Sequence, residues 1–246
     1  MVAGLIAIIA MLPSALNRTA PTPSPTGETG ATTSASPEIS SAPPTGSAAA
    51  VRILAVGDSY TGGSPEEEQV RGGWPTLLEE RMPGLDVEVA ATGDAGYVTT
   101  AGEPTLLDLA AGTDLTDVDL VILFGSRFDA PGIADRVGAA AREAFAAIGE
   151  AAPEATLLVI GPAWPGAAPP AGVRNNRDVI RAAAEATSAS FVDPLSEEWL
   201  TGIPDVVGAD EIHLTDAGHT VLADRIQPIV QQAIEAREAT PTPVGG

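Results

Sequence analysis

Short apolar runs alternate with longer amphipathic stretches through most of the chain. Five runs have the length and composition of β-strands, at 51–56, 86–91, 118–124, 156–160 and 190–192. Two of them, 118–124 and 156–160, show little alternation, which indicates strands covered on both faces. Helical patterns lie between the runs, near 74–82, 104–112, 132–150, 172–187 and 215–236. This order predicts an α/β fold, a three-layer α/β/α sandwich around a mainly parallel sheet of about five strands.

The N-terminal region differs in composition from the rest of the chain. Val2–Leu12 is an uncharged apolar run, too short to span a membrane as a helix but as long as a signal-peptide core. No basic residue precedes it and Arg18 follows it, which is unusual for a signal. Residues 19–50 are rich in Pro, Thr, Ser and Ala, and bury too little apolar surface to offset the entropy of ordering.

These features predict four segments and an extracytoplasmic location. The segments are a signal peptide or short membrane anchor at 1–18, a disordered linker at 19–50, a folded domain at 51–237 and a disordered tail at 238–246. The protein is then secreted or anchored in the cell envelope, and we expect a monomer. The alternative is an apolar end with no targeting role.

Charge and composition exclude several classes of function. Acidic residues number 33 against 12 basic ones, giving a net charge of −21, so nucleic acid would be repelled. An anionic membrane surface is disfavoured for the same reason. The absence of Cys excludes thiol nucleophiles, and the absence of Lys excludes Schiff-base chemistry. The two His residues, His213 and His219, form no H-E-x-x-H motif, which argues against a zinc site.

A serine follows the first predicted strand in the segment G-D-S-Y-T-G-G, residues 57–63. In parallel sheets the chemistry lies at the carboxyl ends of the strands, so Ser59 is a candidate nucleophile. The segment is not the G-x-S-x-G elbow, because Thr61 occupies the second glycine position. The alternative is that Ser59 only caps the next turn.

A histidine precedes the last predicted helix in the segment Asp210-Glu-Ile-His213. A serine hydroxyl becomes a good nucleophile only when a base takes its proton, and an imidazole does so near neutral pH. Asp210 stands three residues earlier and can reach the second ring nitrogen of His213. His219 falls in the first turn of the helix, where we predict a packing role.

Together the two segments resemble the SGNH hydrolases, also called GDSL esterases and lipases. Gly57-Asp58-Ser59 and Asp210-x-x-His213 carry the resemblance, which extends over about 51–237. Residues 57–64 look like small secreted actinobacterial members in particular. The resemblance implies a flavodoxin-like fold in which Ser59 is the nucleophile, His213 the general base and Asp210 its orienting carboxylate. It implies no metal and no organic cofactor.

The resemblance also implies an oxyanion hole of three donors. Two are the backbone N–H groups of Ser59 and Gly96, the latter in A-T-G-D-A-G, where Ala91 departs from the usual Asn. The third is normally an Asn side chain in G-S-R-N-D, but Phe128 occupies that position here. Loss of one donor typically costs about 10²–10³ in rate, which predicts impaired catalysis.

Four side chains near these motifs are candidate substrate contacts: Tyr60, Tyr97, Arg127 and Phe128. Arg127 could replace the missing donor as a cation, but we expect it to pair with a surface carboxylate such as Asp129. Aromatic residues at these places are also commonly part of the core.

The predicted function is hydrolysis of carboxylic esters, with short-chain acyl or acetyl groups, through a Ser-His-Asp triad. The substrate would be a small-molecule or glycan-linked acyl ester. Two alternatives stay open: an acyltransferase acting on cell-envelope glycan, and a weakly active or non-catalytic binding module on the same fold.

Overall fold

The structure is a computed structural model, and it describes residues 50–63, 72–98, 102–125, 127–129, 131–187 and 189–239. The chain divides into two units, Met1–Thr45 and Gly46–Gly246, and every described residue belongs to the second. The predicted signal or anchor and almost all of the predicted linker lie outside the described residues, so both stay predictions. Across the described ranges no helix is both long and apolar enough to cross a membrane.

All five predicted strands and all five predicted helices are present. The strands are β1 Val51–Gly57, β2 Leu85–Ala91, β3 Leu120–Phe124, β4 Thr156–Ile160 and β5 Ser190–Val192. The helices are α1 Ser59–Gly62, α2 Gly73–Arg81, α3 Leu106–Ala111, α4 Ala134–Ala151, α5 Ala171–Thr187 and α6 Asp216–Ala239. Of these, α1 is a single additional turn, and α6 continues two residues past the predicted end of the domain.

The strands form one parallel sheet in the order β2-β1-β3-β4-β5. This confirms the predicted α/β class. The chain order reverses between β1 and β3, where Gly57 lies opposite Phe124. Connections from β1 and β3 leave this point toward opposite sides, so a crevice opens beyond the carboxyl ends of the two strands.

Alternate residues of β1 enter two separate cores, one on each face of the sheet. Ile53 and Ala55 pack with residues of α2 and α6, including Trp74 and Ile226. Leu54 and Val56 pack with residues of α3, α4 and α5, for example Leu106, Phe145 and Ile180. Since β1 is covered on both faces, its carboxyl end is a rigid support for the residues that follow it.

Candidate active site

Ser59 begins the single turn α1 directly after β1. Asp58 caps this turn, because its Oδ1 accepts a 2.8 Å hydrogen bond from the backbone N–H of Tyr60. The residue before Asp58 must be a glycine, because a Cβ at position 57 would lie only 2.8 Å from the carbonyl oxygen of Phe124. The Ser59 side chain is 5% exposed, and its Oγ makes no hydrogen bond to any described residue.

The carboxyl group next to the serine is in an unusual electrostatic environment. Asp58 is 2% exposed, and burial raises the pKa of its carboxyl to about 7. The hydrogen bond from Tyr60 N–H and the charge of Arg127 oppose this rise, whereas the charge of Asp94 adds to it.

Asp210 and His213 form the pair that their spacing predicted. His213 Nδ1 lies 2.6 Å from Asp210 Oδ2, while Asp210 Oδ1 accepts the backbone N–H groups of Ile212 at 2.9 Å and His213 at 3.0 Å. These backbone hydrogen bonds, with the smaller effect of the imidazole, lower the pKa of Asp210 to about 2. The turn includes Glu211 at a φ of 59°. Asp210 therefore stays ionised and fixes which nitrogen of His213 faces away from it.

The turn that begins at Ser59 (the serine turn, α1) and the turn Asp210–His213 (the histidine turn) are in contact. Tyr60, directly after Ser59, donates its hydroxyl to the carbonyl oxygen of Ile212, directly before His213, at 3.2 Å. The fold therefore brings the two predicted motifs together at one edge of the sheet. Ser59 Oγ and His213 are not hydrogen-bonded to each other in this arrangement.

Of the two predicted backbone donors of the oxyanion hole, one is already hydrogen-bonded within the described part of the protein and the other is not. Ser59 N–H donates to the carbonyl oxygen of Gly93 at 3.1 Å, so in this conformation it is engaged within the protein, and its role as an oxyanion donor stays a prediction. Gly96 N–H has no acceptor among the described residues. Gly96 lies against a carboxylate, because a Cβ there would be 2.8 Å from Asp129 Oδ1.

Asp129 is a functional candidate that the sequence reasoning missed. It is 5% exposed, and its two oxygens accept the backbone N–H groups of Tyr97 at 2.9 Å and Val98 at 2.6 Å. The loop after β3 thereby fixes the loop after β2 that carries Gly96. The signal for this role was present, since Asp129 completes the five-residue pattern in which Phe128 replaces Asn.

The predicted pairing of Arg127 with Asp129 is wrong, because each bonds elsewhere. Arg127 Nη1 donates to the Tyr60 hydroxyl and, at 3.1 Å, to the carbonyl oxygen of Ile212. Asp129 instead accepts the backbone N–H groups of Tyr97 and Val98. A buried carboxylate is costly unless its oxygens are hydrogen-bonded, and these fixed donors satisfy them. Phe128 is half-buried, with its ring centroid 4.8 Å from Arg127 Cζ.

Two of the four predicted substrate contacts are core residues instead. Tyr60 is 1% exposed, and Tyr97 is 3% exposed and packs edge-on against Phe145 with ring centroids 5.9 Å apart. As placed, neither ring offers a substrate any surface, which corrects the expectation for both. Arg127 and Phe128 are half-buried and stay candidates.

His219 has the packing role that its helical position predicted. It is fully buried, and burial lowers the pKa of its imidazole to about 4. Gly73, at a φ of +70°, packs against it: a Cβ there would lie 3.1 Å from the imidazole Cε1 and from the carbonyl oxygen of Thr61. The neutral ring thus fills the space between α6, α2 and the serine turn.

Known proteins are similar to this chain in sequence and in fold. Residues 55–221 match the GDSL-like Lipase/Acylhydrolase family. A GDSL lipase of Mycobacterium tuberculosis is 36% identical over 190 residues, covering 74% of this chain and 82% of that protein.

Two solved structures share the architecture. The psychrotrophic esterase EstA from Pseudoalteromonas sp. has a TM-score of 0.59 and 15% identity, over 75% of this chain and 99% of that one. A lipase/acylhydrolase from Enterococcus faecalis has a TM-score of 0.56 and 17% identity, over 74% and 95%. At such identities the likeness shows the fold, whereas the family match and the mycobacterial relative show the kinship. The chain therefore belongs to the GDSL-like lipase/acylhydrolase family, the SGNH hydrolases, as Gly57-Asp58-Ser59 and Asp210-x-x-His213 predicted.

Proposed function

We propose that the protein is a serine esterase that hydrolyses carboxylic esters with short acyl groups through Ser59, His213 and Asp210. The observation that carries the proposal is the 2.6 Å contact between Asp210 and His213, in a turn that packs on the serine turn. Family membership supports the hydrolase class. Each residue has the chemistry that its role requires.

Hydrolysis would proceed through an acyl-enzyme. Ser59 Oγ attacks the acyl carbon as His213 Nε2 takes the hydroxyl proton, and Asp210 stabilises the imidazolium. The tetrahedral intermediate collapses when the C–O bond to the leaving alcohol breaks and His213 returns the proton to that oxygen. Water then attacks the acyl-enzyme, with His213 again as base, and releases the acid and free Ser59.

The negative charge that develops on the attacked carbonyl oxygen must be stabilised by hydrogen-bond donors, and those available lie at the carboxyl ends of β1 and β2. Gly96 N–H, which Asp129 positions through the next two residues, is free to act as one donor. Ser59 N–H becomes a second donor only after it leaves the carbonyl oxygen of Gly93. A substrate oxyanion is the stronger acceptor, so this exchange is favourable as charge develops in the transition state.

The serine must also approach the histidine during the reaction. Its hydroxyl is nearly buried and has no hydrogen bond among the described residues. Hydrogen bonds of this kind are commonly long or absent before substrate binds and tighten in the complex. The proposal therefore includes a small rearrangement of α1 in which Ser59 N–H and Oγ change partners together.

The neighbouring cavity supports a small substrate. It measures about 320 Å³ and is lined by Arg127, Trp164, Pro165, Gly166, Val207 and Glu211. This volume is at the lower end of ligand sites, and Trp164 and Pro165 give it an apolar wall. We therefore expect acetyl and other short acyl esters to react faster than long-chain ones.

The test is nitrophenol release from a series of nitrophenyl esters of increasing acyl length. Ser59→Ala should remove nearly all turnover, and Asp210→Asn should lower kcat by about 10²–10⁴-fold because the imidazole loses its orienting anion. Ser190→Ala is the matched control. Ser190 is exposed at the amino end of β5, whereas the proposed site lies beyond the carboxyl ends of the strands. Equal rates for the wild type and Ser59→Ala would refute the proposal.

A further inference from the structure

We infer that Arg127 is a positioning residue that holds the turn carrying His213 against the turn carrying Ser59. The inference rests on the proposed function for its kinetic consequence but not for the structural coupling itself. It gives a role to two positions that the missing Asn left unexplained, Arg127 and Phe128.

The coupling consists of three hydrogen bonds among three groups. Arg127 Nη1 donates to the Tyr60 hydroxyl and to the carbonyl oxygen of Ile212 at 3.1 Å. The Tyr60 hydroxyl donates its own proton to the same carbonyl oxygen at 3.2 Å. Tyr60 follows the nucleophile and Ile212 precedes the base, so a single guanidinium nitrogen joins the two halves of the proposed triad.

Three aromatic rings lie close to the guanidinium. Arg127 Cζ lies 4.5 Å from the ring centroid of Tyr60, 4.8 Å from that of Phe128 and 5.7 Å from that of Trp164. Rings at these distances attract a cation and exclude water from its faces. Phe128, which cannot donate to an oxyanion, therefore packs the cation that spans the two turns.

Burial makes the connection strong and persistent. Tyr60 is 1% exposed, and burial raises the pKa of its phenol to about 12, so its hydroxyl keeps a proton to donate throughout the ordinary pH range. A hydrogen bond to a charged donor is stronger than a neutral one, and more so away from water. The histidine turn is otherwise exposed at Asp210, Glu211 and Ile212, so the bond to Arg127 is an important anchor for it.

The geometry distinguishes positioning from substrate binding. Both hydrogen bonds of Arg127 leave from one nitrogen, so a lysine ammonium at the same place can make both. A residue that gripped a substrate with two guanidinium nitrogens would not tolerate this exchange. Arg127→Lys and Arg127→Met are therefore the informative pair, since methionine keeps an apolar chain and has no donor.

The first experiment follows amide hydrogen exchange in the whole protein. We expect Arg127→Met to speed exchange of the peptide spanning 207–214 at least about tenfold, because the carbonyl oxygen of Ile212 loses its hydrogen bond from the guanidinium, and Arg127→Lys to restore most of the protection. Arg136→Met is the matched control, since Arg136 is exposed on α4. Unchanged exchange in Arg127→Met would overturn the inference, whether or not the protein cleaves esters.

The second experiment measures ester hydrolysis by the same variants. Arg127→Met should lower kcat about 10- to 100-fold with less than about threefold change in KM, and Arg127→Lys should recover most of the loss. Tyr60→Phe, which removes one oxygen and leaves the ring, should lower kcat about three- to tenfold and serves if Arg127→Met does not fold. An effect confined to KM, or a lysine variant no better than methionine, would overturn the positioning role. If the wild type shows no Ser59-dependent turnover, the proposed function fails while the exchange result still decides the coupling.

Discussion

The carboxylate of Asp129 accepts a 2.9 Å hydrogen bond from the backbone N–H of Tyr97, joining the loop after β3 to the loop after β2. Its other oxygen accepts Val98 N–H at 2.6 Å. The two bonds hold the two residues that follow Gly96, whose N–H we propose as an oxyanion donor. In the proposed mechanism, a side chain outside the triad thus helps to position one of the oxyanion donors.

Replacing Asp129 with Asn should lower kcat about tenfold and the free energy of unfolding by roughly 1–3 kcal/mol. An amide has one accepting oxygen, so its NH₂ group would face one of the two backbone donors. Steady-state kinetics and chemical denaturation measure the two effects. Asp135→Asn, at an exposed position of α4, provides the control. Wild-type kcat in a folded Asp129→Asn protein would show that Gly96 is held by other contacts.

Much of the fold follows from local pattern, whereas the site depends on distant contacts. The apolar runs of β3 and β4 were predictable because strands covered on both faces need continuous hydrophobic sequence. The Asp210–His213 pair was predictable because three residues of a turn suffice to bring them together. Arg127 was not, since its partner Tyr60 is 67 positions away and only the folded sheet shows which turn it meets.

The oxyanion donors show the same limit at a finer scale. The motif indicated that Ser59 N–H lies beside the reacting oxygen, but its present partner, the carbonyl of Gly93, depends on how the loop after β2 turns. Likewise the sequence predicts that Asp129 is a surface carboxylate, and only the folded structure shows that it is buried and accepts hydrogen bonds from backbone N–H groups. Patterns identify the chemistry at a strand end but do not determine which donor is engaged.

Restoring an amide at position 128 should raise kcat. Phe128→Asn would place a side-chain donor where the family normally has one, and such a donor is worth about 10²–10³ in rate when well oriented. The gain will be smaller here, about three- to thirtyfold, because the substitution also removes one ring packed on Arg127. The measurement is kcat on a short acyl ester.

Phe128→Leu separates the two effects, since it removes the ring without adding a donor. We expect its kcat to fall, and thermal unfolding of both variants to occur at a lower temperature than in the wild type. A well-folded Phe128→Asn protein no faster than Phe128→Leu would mean that the third donor comes from another group.

Asp58 should make the protein less stable as pH rises. Its folded-state pKa of about 7 is above the ordinary value of 3.8, so the folded protein holds this proton where the unfolded chain has lost it. The associated stability is fully present below pH 3.8 and is lost as pH rises toward 7, by on the order of 4 kcal/mol. Asp58→Asn keeps an oxygen for Tyr60 N–H and cannot ionise. Relative to the wild type, this variant should therefore gain stability between pH 4 and pH 8 in urea titrations, and a constant difference would count against a raised pKa.

His219 should have the opposite effect. Its pKa falls from 6.5 to about 4 on burial, so below pH 6.5 the unfolded chain binds a proton that the folded protein excludes. Stability from this group is therefore present above pH 6.5 and decreases as pH falls toward 4, by on the order of 3 kcal/mol. Because Asp58 and His219 act in opposite directions over nearly the same range, the wild type should show a flatter pH profile than either residue alone would give.

Single substitutions separate the two contributions. His219→Gln removes the imidazole but keeps a neutral polar side chain, so the variant is less stable at pH 8 through lost packing against Gly73, and the deficit shrinks as pH falls to 4. Urea denaturation at a series of pH values, read as the difference between variant and wild type, isolates this dependence. In the double variant with Asp58→Asn both dependences should disappear. A His219→Gln deficit that is the same at pH 8 and pH 4 would mean that the imidazole is protonated in the folded protein too, and that the space between α6 and the serine turn accommodates a charge.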